Sequence, residues 1–178
     1  LQCGCTESLM DYEVIFSNMP LYIEGLWVTI QLVFLALVLG FLFALPIALL
    51  ATSRNPLIRL LPKSYIYFFR GTPLLVQMFM IYHGMGQFEL VRESVIWIVF
   101  KEAYWCALIA FALNTAGYTA EILRGTIEQT PYGEIEAARA CGMSKSTLYR
   151  RIILPGTFRR ALPAYGNEVI FMLHGSAL

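Results

Sequence analysis

Charged side chains are scarce in this sequence of 178 residues. Asp, Glu, Lys and Arg make up 14% of it, whereas a soluble domain carries about 25%. The net charge is only +1, so the chain lacks the strongly basic balance that is typical of nucleic-acid-binding proteins. Hydrophobic residues reach 58%, and this excess favours a membrane protein over a soluble domain.

Residues that bind metals or perform covalent catalysis are few as well. Cys3 and Cys5 have no second pair of cysteines to complete a metal site, and we interpret them as incidental thiols. His83 and His174 are isolated, so we interpret both as structural or interfacial. No Walker sequence or nucleophile triad is present. We therefore expect no enzyme, no catalytic residue and no metal or cofactor site in this chain.

Long apolar segments predict membrane-spanning helices, because a hydrocarbon core about 30 Å thick needs about 20 apolar helical residues. Four segments are candidates: residues 25–53, 64–88, 103–120 and 161–178. Pro46 predicts a kink in the first, and residues 70–73 interrupt the second. Residues 95–100, with Trp97, are too few to cross and predict an interfacial helix. The fourth segment runs to the chain end without a closing loop, and we expect the complete protein to continue beyond it.

The distribution of Lys and Arg orients these spans, since basic residues concentrate in cytoplasmic connections. Residues 1–53 contain none, the first connection has three, and the connection at 124–160 has seven. The second connection is acidic on balance. We therefore predict an N-terminal segment, residues 1–20, outside the cytoplasm. The membrane domain follows over residues 21–178, with its first and third connections in the cytoplasm.

The third connection, residues 124–160, has the pattern of two short helices joined at a glycine. The Thr130–Pro131 pair predicts the start of the first helix, and Gly142 predicts its end. Ser144 predicts the cap of the second helix, which Pro155 ends. A helix pair fixed to spans on both sides can lie in a groove of a partner protein and pass its movement into the membrane.

Three other interpretations stay open at this point. The third connection can be a solvated surface loop. The spacing of Ala138, Gly142 and Leu148 is also that of a helix-turn-helix, which would make the chain a membrane-tethered DNA-binding regulator. Glu168 and His174 could belong to a membrane enzyme, although no activated nucleophile accompanies them.

Polar side chains within the spans are candidates for a substrate pathway, because a charge in a bilayer usually faces a cavity or a partner. Glu168 could bind the ammonium group of an amino acid or pair structurally with Asn167. Arg70, beside a helix break, could bind a substrate carboxylate or reach the cytoplasmic headgroups. Glu121, near the cytoplasmic end of its span, is interpreted as structural. The pathway candidates are Arg70, Thr72, Asn114, Tyr118, Asn167 and Glu168.

Motifs along the chain resemble those of ABC importer permeases. The EAA signature of that family is similar to the third connection at Glu136, Ala137, Ala138, Gly142, Ile152, Leu154 and Pro155. Residues 69–77 (FRGTPLLVQ), 114–122 (NTAGYTAEI) and 164–170 (AYGNEVI) resemble the polar amino acid branch in spans two to four. The likeness covers about residues 21–178 and is strongest to the M-type subunit of histidine, arginine and opine importers.

This resemblance implies an all-α, polytopic helical bundle of the type I ABC importer permease class, a five-span fold of which about four spans are present. It implies a bacterial inner-membrane protein with a periplasmic N-terminus, whose EAA residues couple transport to ATP hydrolysis. Expected partners are a sister permease in a heterodimer, two cytoplasmic ATPase subunits that bind ATP and Mg²⁺, and a periplasmic binding protein. The expected substrates are polar, mainly basic amino acids (histidine, arginine, lysine, ornithine) or opines.

Overall fold

The computed structural model describes residues 16–176, and in this part the chain consists of helices and their connections, without a strand. The helices are α1 (Met19–Ala51), α2 (Pro56–Gly71), α3 (Leu74–Phe79), α4 (Glu89–Arg92), α5 (Trp97–Phe100), α6 (Ala103–Glu128), α7 (Tyr132–Ala140), α8 (Lys145–Leu148) and α9 (Leu154–Gly175). The predicted all-α class is confirmed. Most of the predicted N-terminal segment, with Cys3 and Cys5, and the end of the predicted fourth span lie outside the described residues.

The described chain divides into two compact units between Gln31 and Leu32. The first unit contains the N-terminal end of α1, where the Thr29 hydroxyl donates to the Gly25 carbonyl oxygen at 2.9 Å. The second unit contains the rest of the described chain. The cavity and the helices of the third connection, α7 and α8, belong entirely to the second unit.

Within the second unit, α1 packs closely against α6 through a row of small residues. Ala36, Gly40, Ala44 and Ala48 are four residues apart and buried. A Cβ atom on Gly40 would collide with the Thr115 side chain of α6. Small residues at such positions allow two helix backbones to approach closely without a large side chain between them.

The predicted break in the second span is confirmed, but the helix before it begins earlier than predicted. Asn55 caps α2 by accepting a hydrogen bond from the Leu57 N–H at 3.0 Å, and proline opens the first turn. Of the three basic residues predicted to lie in the first connection, Arg59 and Lys63 therefore belong to α2. The helix stops at Thr72, whose backbone is extended (φ −108°, ψ 137°).

Two helices of the described chain, α1 and α6, are long and apolar enough to cross a membrane. Pro46 lies inside α1 and does not end it, as the sequence predicts. The second predicted span is not a single helix, because α2 and α3 are separated by the break and α3 continues into a π-helical turn, Met80–Gly84. The predicted interfacial helix is only the single turn of α5.

The third connection contains two short helices, α7 and α8, as predicted, but the roles predicted for Thr130 and Pro155 are wrong. Gly142 ends α7 with a positive φ of 73°, and the Ser144 hydroxyl caps α8 by accepting from the Thr147 N–H at 3.3 Å. Thr130 does not cap α7, because its hydroxyl oxygen accepts from Arg160 Nη2 at 2.9 Å instead. Pro155 does not end the second helix, which continues into α9.

The helix passes Pro155 because a wider turn precedes it. Residues Tyr149–Ile153 form a π-helical turn, in which the Leu154 N–H donates to the Tyr149 carbonyl five residues earlier. The hydrogen-bond pattern is thus already shifted where proline, which has no N–H, enters the first turn of α9. Proline does not end the helix here, because the π turn before it has already shifted the hydrogen-bond pattern, and the chain continues as a helix without the N–H that proline lacks.

Candidate functional site

A cavity of about 640 Å³ lies between α6, α9 and the break that separates α2 from α3. All six pathway candidates line it: Arg70, Thr72, Asn114, Tyr118, Asn167 and Glu168. They come from three separate parts of the sequence, and only the tertiary fold brings them together. The remaining lining is mostly apolar, with Leu74, Ile122, Phe171 and Met172 among its members.

The cavity carries one positive and one negative side chain. Glu168, on α9, is only 6% exposed, whereas the Arg70 side chain, at the break, is 43% exposed. In the described chain, no Lys or Arg lies within ion-pair distance of the Glu168 carboxylate. A buried carboxylate without a paired cation favours a positively charged occupant over an anionic one.

Arg70 has a partner that sequence reasoning missed. Its Nη1 atom lies 3.7 Å from the Glu121 carboxylate, and its guanidinium carbon lies 5.4 Å from the centre of the Tyr118 ring. The Tyr118 hydroxyl donates to the Arg70 carbonyl oxygen at 3.4 Å. These contacts hold Arg70 at the edge of the cavity, with its guanidinium still partly open.

Glu121 also connects this edge to the C-terminal end of α6. It binds Arg124 with both carboxylate oxygens at 2.7 Å, and Arg124 contacts Glu128 at 2.8 Å. A continuous chain of charges therefore runs from the cavity to the start of the third connection. Such pairs at separations of three and four residues fall on one face of the helix.

The backbone at the break is secured by two buried amides. The Gln77 Nε2 atom donates to the carbonyl oxygens of Phe69 and Thr72, at 2.9 and 3.0 Å. The Asn114 Nδ2 atom donates to the Gln77 Oε1 atom at 3.1 Å. Sequence reasoning did not select Gln77, although a lone polar residue one helical turn after Pro73, in an apolar run, was a usable signal.

The EAA residues of the third connection divide between its surface and its interior. Glu136, Ala137, Gly142 and Pro155 are exposed, and Ile152 and Leu154 are half-buried. Ala138 is buried in a small core with Ile127 of α6, Leu148 of α8 and Ile153. The exposed residues can therefore contact a partner protein, while Ala138 fixes the connection to α6.

Among the described residues, no group of three or more His, Cys, Asp and Glu side chains gathers at one site. His83 stacks on Phe79 with ring centres 5.5 Å apart. Cys106 is buried, and its thiol lies 3.3 Å from the Phe100 carbonyl oxygen.

Residues 36–178 match the model of one protein family, described as "Binding-protein-dependent transport system inner membrane component". The nopaline transport system permease protein NocM of Agrobacterium fabrum is 45% identical over 170 residues, which are 95% of this chain and 70% of NocM. The histidine/lysine/arginine/ornithine transport system permease protein HisM of Salmonella typhimurium is 45% identical over 155 residues, which are 86% of this chain and 66% of HisM. The chain thus spans about two thirds of the length of these curated relatives.

A solved structure supports the same relationship at the level of the fold. The crystal structure of an amino acid ABC transporter with histidines superposes with a TM-score of 0.82 at 40% sequence identity. The superposition covers 94% of this chain and 74% of that chain. The helices described above therefore form the helical bundle of ABC importer permeases.

Proposed function

Because this chain belongs to the family of binding-protein-dependent transport system inner membrane components, we propose that it is a permease subunit of an ATP-driven importer for polar, mainly basic, amino acids or opines. The comparisons confirm the family that its motifs resemble. The observation that supports the substrate class is the cavity, in which a buried carboxylate, Glu168, and a guanidinium, Arg70, line the same space.

An amino acid carries charges that suit this pair. Arg70 would bind the carboxylate of the substrate, because guanidinium and carboxylate form parallel hydrogen bonds. Glu168 would bind an ammonium or guanidinium group, whose charge offsets the cost of a buried carboxylate. Thr72, Tyr118, Asn114 and Asn167 would complete the lining with neutral polar groups. The relatives NocM and HisM are named as permeases for nopaline and for histidine, lysine, arginine and ornithine, which agrees with a cationic or polar substrate.

Energy would come from partners and reach the cavity through the third connection. The exposed EAA residues would dock on a cytoplasmic ATPase subunit, which would bind ATP and Mg²⁺. The subunit would pair with a sister permease in a heterodimer with two ATPase subunits. A periplasmic binding protein would deliver the substrate, with the N-terminus of this chain on the same side of the inner membrane.

The transport cycle follows from this arrangement. Closure of the ATPase subunits on ATP would move α7 and α8, and the spans attached to them would open the cavity towards the binding protein. Hydrolysis would then return the cavity to the cytoplasmic side. The small core of Ala138, Ile127, Leu148 and Ile153 supports this role, because it ties the connection to α6, which also lines the cavity.

The two competing functions have no support of this kind. A helix-turn-helix module needs its own soluble core, whereas Ala138 and Leu148 pack against Ile127 of α6. An enzyme using Glu168 needs an activated nucleophile beside it. Among the described residues that line the cavity with Glu168 there is no Ser or Cys, and the Thr72 hydroxyl is bonded to Phe68 and Gln77 rather than to a base.

Uptake into vesicles tests the proposal. The full-length protein would be reconstituted with its sister permease, its ATPase and its binding protein, and uptake of labelled arginine, lysine, histidine and glutamine would be followed with ATP. We expect ATP-dependent uptake of at least one basic amino acid. An assembled, ATP-hydrolysing complex that accumulates none of the four would contradict the substrate class.

A further inference from the structure

The break in the second span leaves backbone oxygens that an unbroken helix would satisfy. Pro73 has no N–H, so the Phe69 carbonyl oxygen cannot receive the usual bond from the residue four positions later. Gln77 Nε2 and Asn114 Nδ2 donate to this oxygen instead, at 2.9 and 3.3 Å. Gln77 is 3% exposed and Asn114 is 7% exposed, so water is largely excluded from both amides.

The same amides also fix the residue at the break itself. Gln77 Nε2 donates to the Thr72 carbonyl oxygen at 3.0 Å and to the Thr72 hydroxyl at 2.6 Å. The Thr72 hydroxyl in turn donates to the Phe68 carbonyl oxygen at 2.9 Å. The bond from Asn114 to Gln77 Oε1 then joins this group to α6.

Side-chain packing does little to hold this edge of the cavity. A Cβ atom added to Gly71 would meet no atom within 4 Å, and the neighbouring Arg70 is partly exposed. Residues 70–73 all line the cavity. The position of this edge therefore depends on polar contacts: Tyr118 and Glu121 hold Arg70, and the two amides hold the backbone of Phe69 and Thr72.

We propose that Gln77 and Asn114 form an amide latch that positions the edge of the cavity, residues 70–73, for substrate binding. Both residues act as positioning residues: the latch holds the Thr72 backbone, and with it the neighbouring Arg70, in place in the cavity that Glu168 also lines. This inference rests on the proposed function, since it assigns the cavity to the substrate. It changes the role of Asn114, whose amide hydrogens are directed at Phe69 and Gln77 rather than at an occupant.

The substitution Gln77→Glu tests the latch without changing its shape. A carboxyl group at this position lacks the two amide hydrogens. Ionised, it faces the carbonyl oxygens of Phe69 and Thr72 as an acceptor, and protonated, it keeps a single donor, so the amide's bonds to both residues are not reproduced. We expect KM for uptake to rise about tenfold, the usual size of effect when a hydrogen-bond partner is lost. The maximal rate and ATP hydrolysis should stay within about twofold, because the latch lies away from the third connection. Gln87→Glu is the matched control, since Gln87 is exposed on the same broken span.

A second measurement reports the geometry of the edge without any transport. The chain with Gly71→Cys, in which the native cysteines are replaced by serine, is treated with a membrane-permeant thiol reagent, and the labelling rate is followed. A side chain at Gly71 has open space, so the labelling rate reports the accessibility of the cavity edge at residues 70–73. We expect Gln77→Glu to change this rate several-fold and Gln87→Glu to leave it unchanged.

Asn114→Ala provides a milder variant, because it removes the two bonds from α6, to Phe69 and to Gln77, and leaves Gln77 bonded to Phe69 and Thr72. If the complex with Gln77→Glu does not assemble, Asn114→Ala is used in its place to test the latch. An unchanged labelling rate and an unchanged KM in an assembled variant would overturn the latch. If the unsubstituted complex takes up no amino acid, the proposed function fails, whereas the labelling rates still support or overturn the latch.

Discussion

Arg124 holds the Glu121 carboxylate with two nitrogen atoms, since its Nε and Nη2 atoms each lie 2.7 Å from a carboxylate oxygen. The Arg124 side chain is 19% exposed and that of Glu121 is 27% exposed, so the pair is partly shielded from water. Paired bonds of this kind are stronger than a single surface contact. The pair stands between the cavity and the third connection and stabilises the end of α6.

Removal of this pair is expected to lower the stability of the protein. Glu121→Ala should reduce the free energy of unfolding by about 1–3 kcal/mol, because Arg124 loses its paired acceptor in a half-buried position. Glu128→Ala is the control, because the Glu128 side chain is 53% exposed and makes a single contact with Arg124, worth under about 1 kcal/mol. Denaturant unfolding of the purified complex in detergent measures both. Equal losses for the two variants would contradict the special role of Glu121.

Gly142 is expected to be needed for coupling because of its backbone conformation. Its φ of 73° is unfavourable for a residue with a Cβ atom by about 1–2 kcal/mol, so Gly142→Ala should shift the joint between α7 and α8. We expect ATP hydrolysis to continue while uptake per ATP falls. Gly133→Ala is the matched control in the first turn of α7, where a Cβ atom meets no neighbour. Normal uptake per ATP in Gly142→Ala would mean that this joint does not transmit movement.

Gly40→Ala tests the close contact between α1 and α6. The added Cβ atom would collide with the Thr115 side chain and lie 3.2 Å from the Ala112 carbonyl oxygen, so the helices must separate. We expect a loss of about 1–3 kcal/mol in the free energy of unfolding, as for other overpacked interiors. Adding Thr115→Ser should restore part of the loss, because serine lacks the colliding methyl group. Gly25→Ala, at a position in the same helix with open space, should not destabilise the protein. A stable Gly40→Ala variant would disprove the contact.

The sequence predicted much of the fold because the signals concerned are local. A long apolar run and the break at residues 70–73 are readable from neighbouring residues, and the structure agrees with both. Pro46 lies inside α1, and the kink predicted there stays a prediction. The same is true of Gly142 and Ser144, whose roles follow from backbone geometry and a nearby hydroxyl. Local rules failed at Pro155, where a preceding π turn compensates for the missing N–H.

The site was predicted in part, for a different reason. All six cavity candidates were selected because they are polar and lie in predicted spans, where a polar side chain is costly and usually faces a cavity or a partner. The pairings between them are long-range: Asn114 contacts Gln77, 37 residues earlier, and Arg70 meets Glu121 across two helices. Thr130 was assigned to a cap by its neighbours in sequence but binds Arg160, 30 residues later. Such contacts depend on how the helices pack, which no local pattern in one sequence specifies.

Direct binding to the cavity tests the central claim, that Glu168 lies in a substrate site. Labelled arginine, lysine and histidine would each be equilibrated with the purified full-length complex in detergent, without the binding protein, and the Kd measured for the wild type, Glu168→Gln and Glu128→Gln. Glu128 does not line the cavity and serves as the control for loss of one carboxylate. The account predicts saturable binding that weakens about tenfold or more in Glu168→Gln and is unchanged in Glu128→Gln. Equal affinity in all three proteins would contradict it, as would a wild type that binds none of arginine, lysine and histidine saturably.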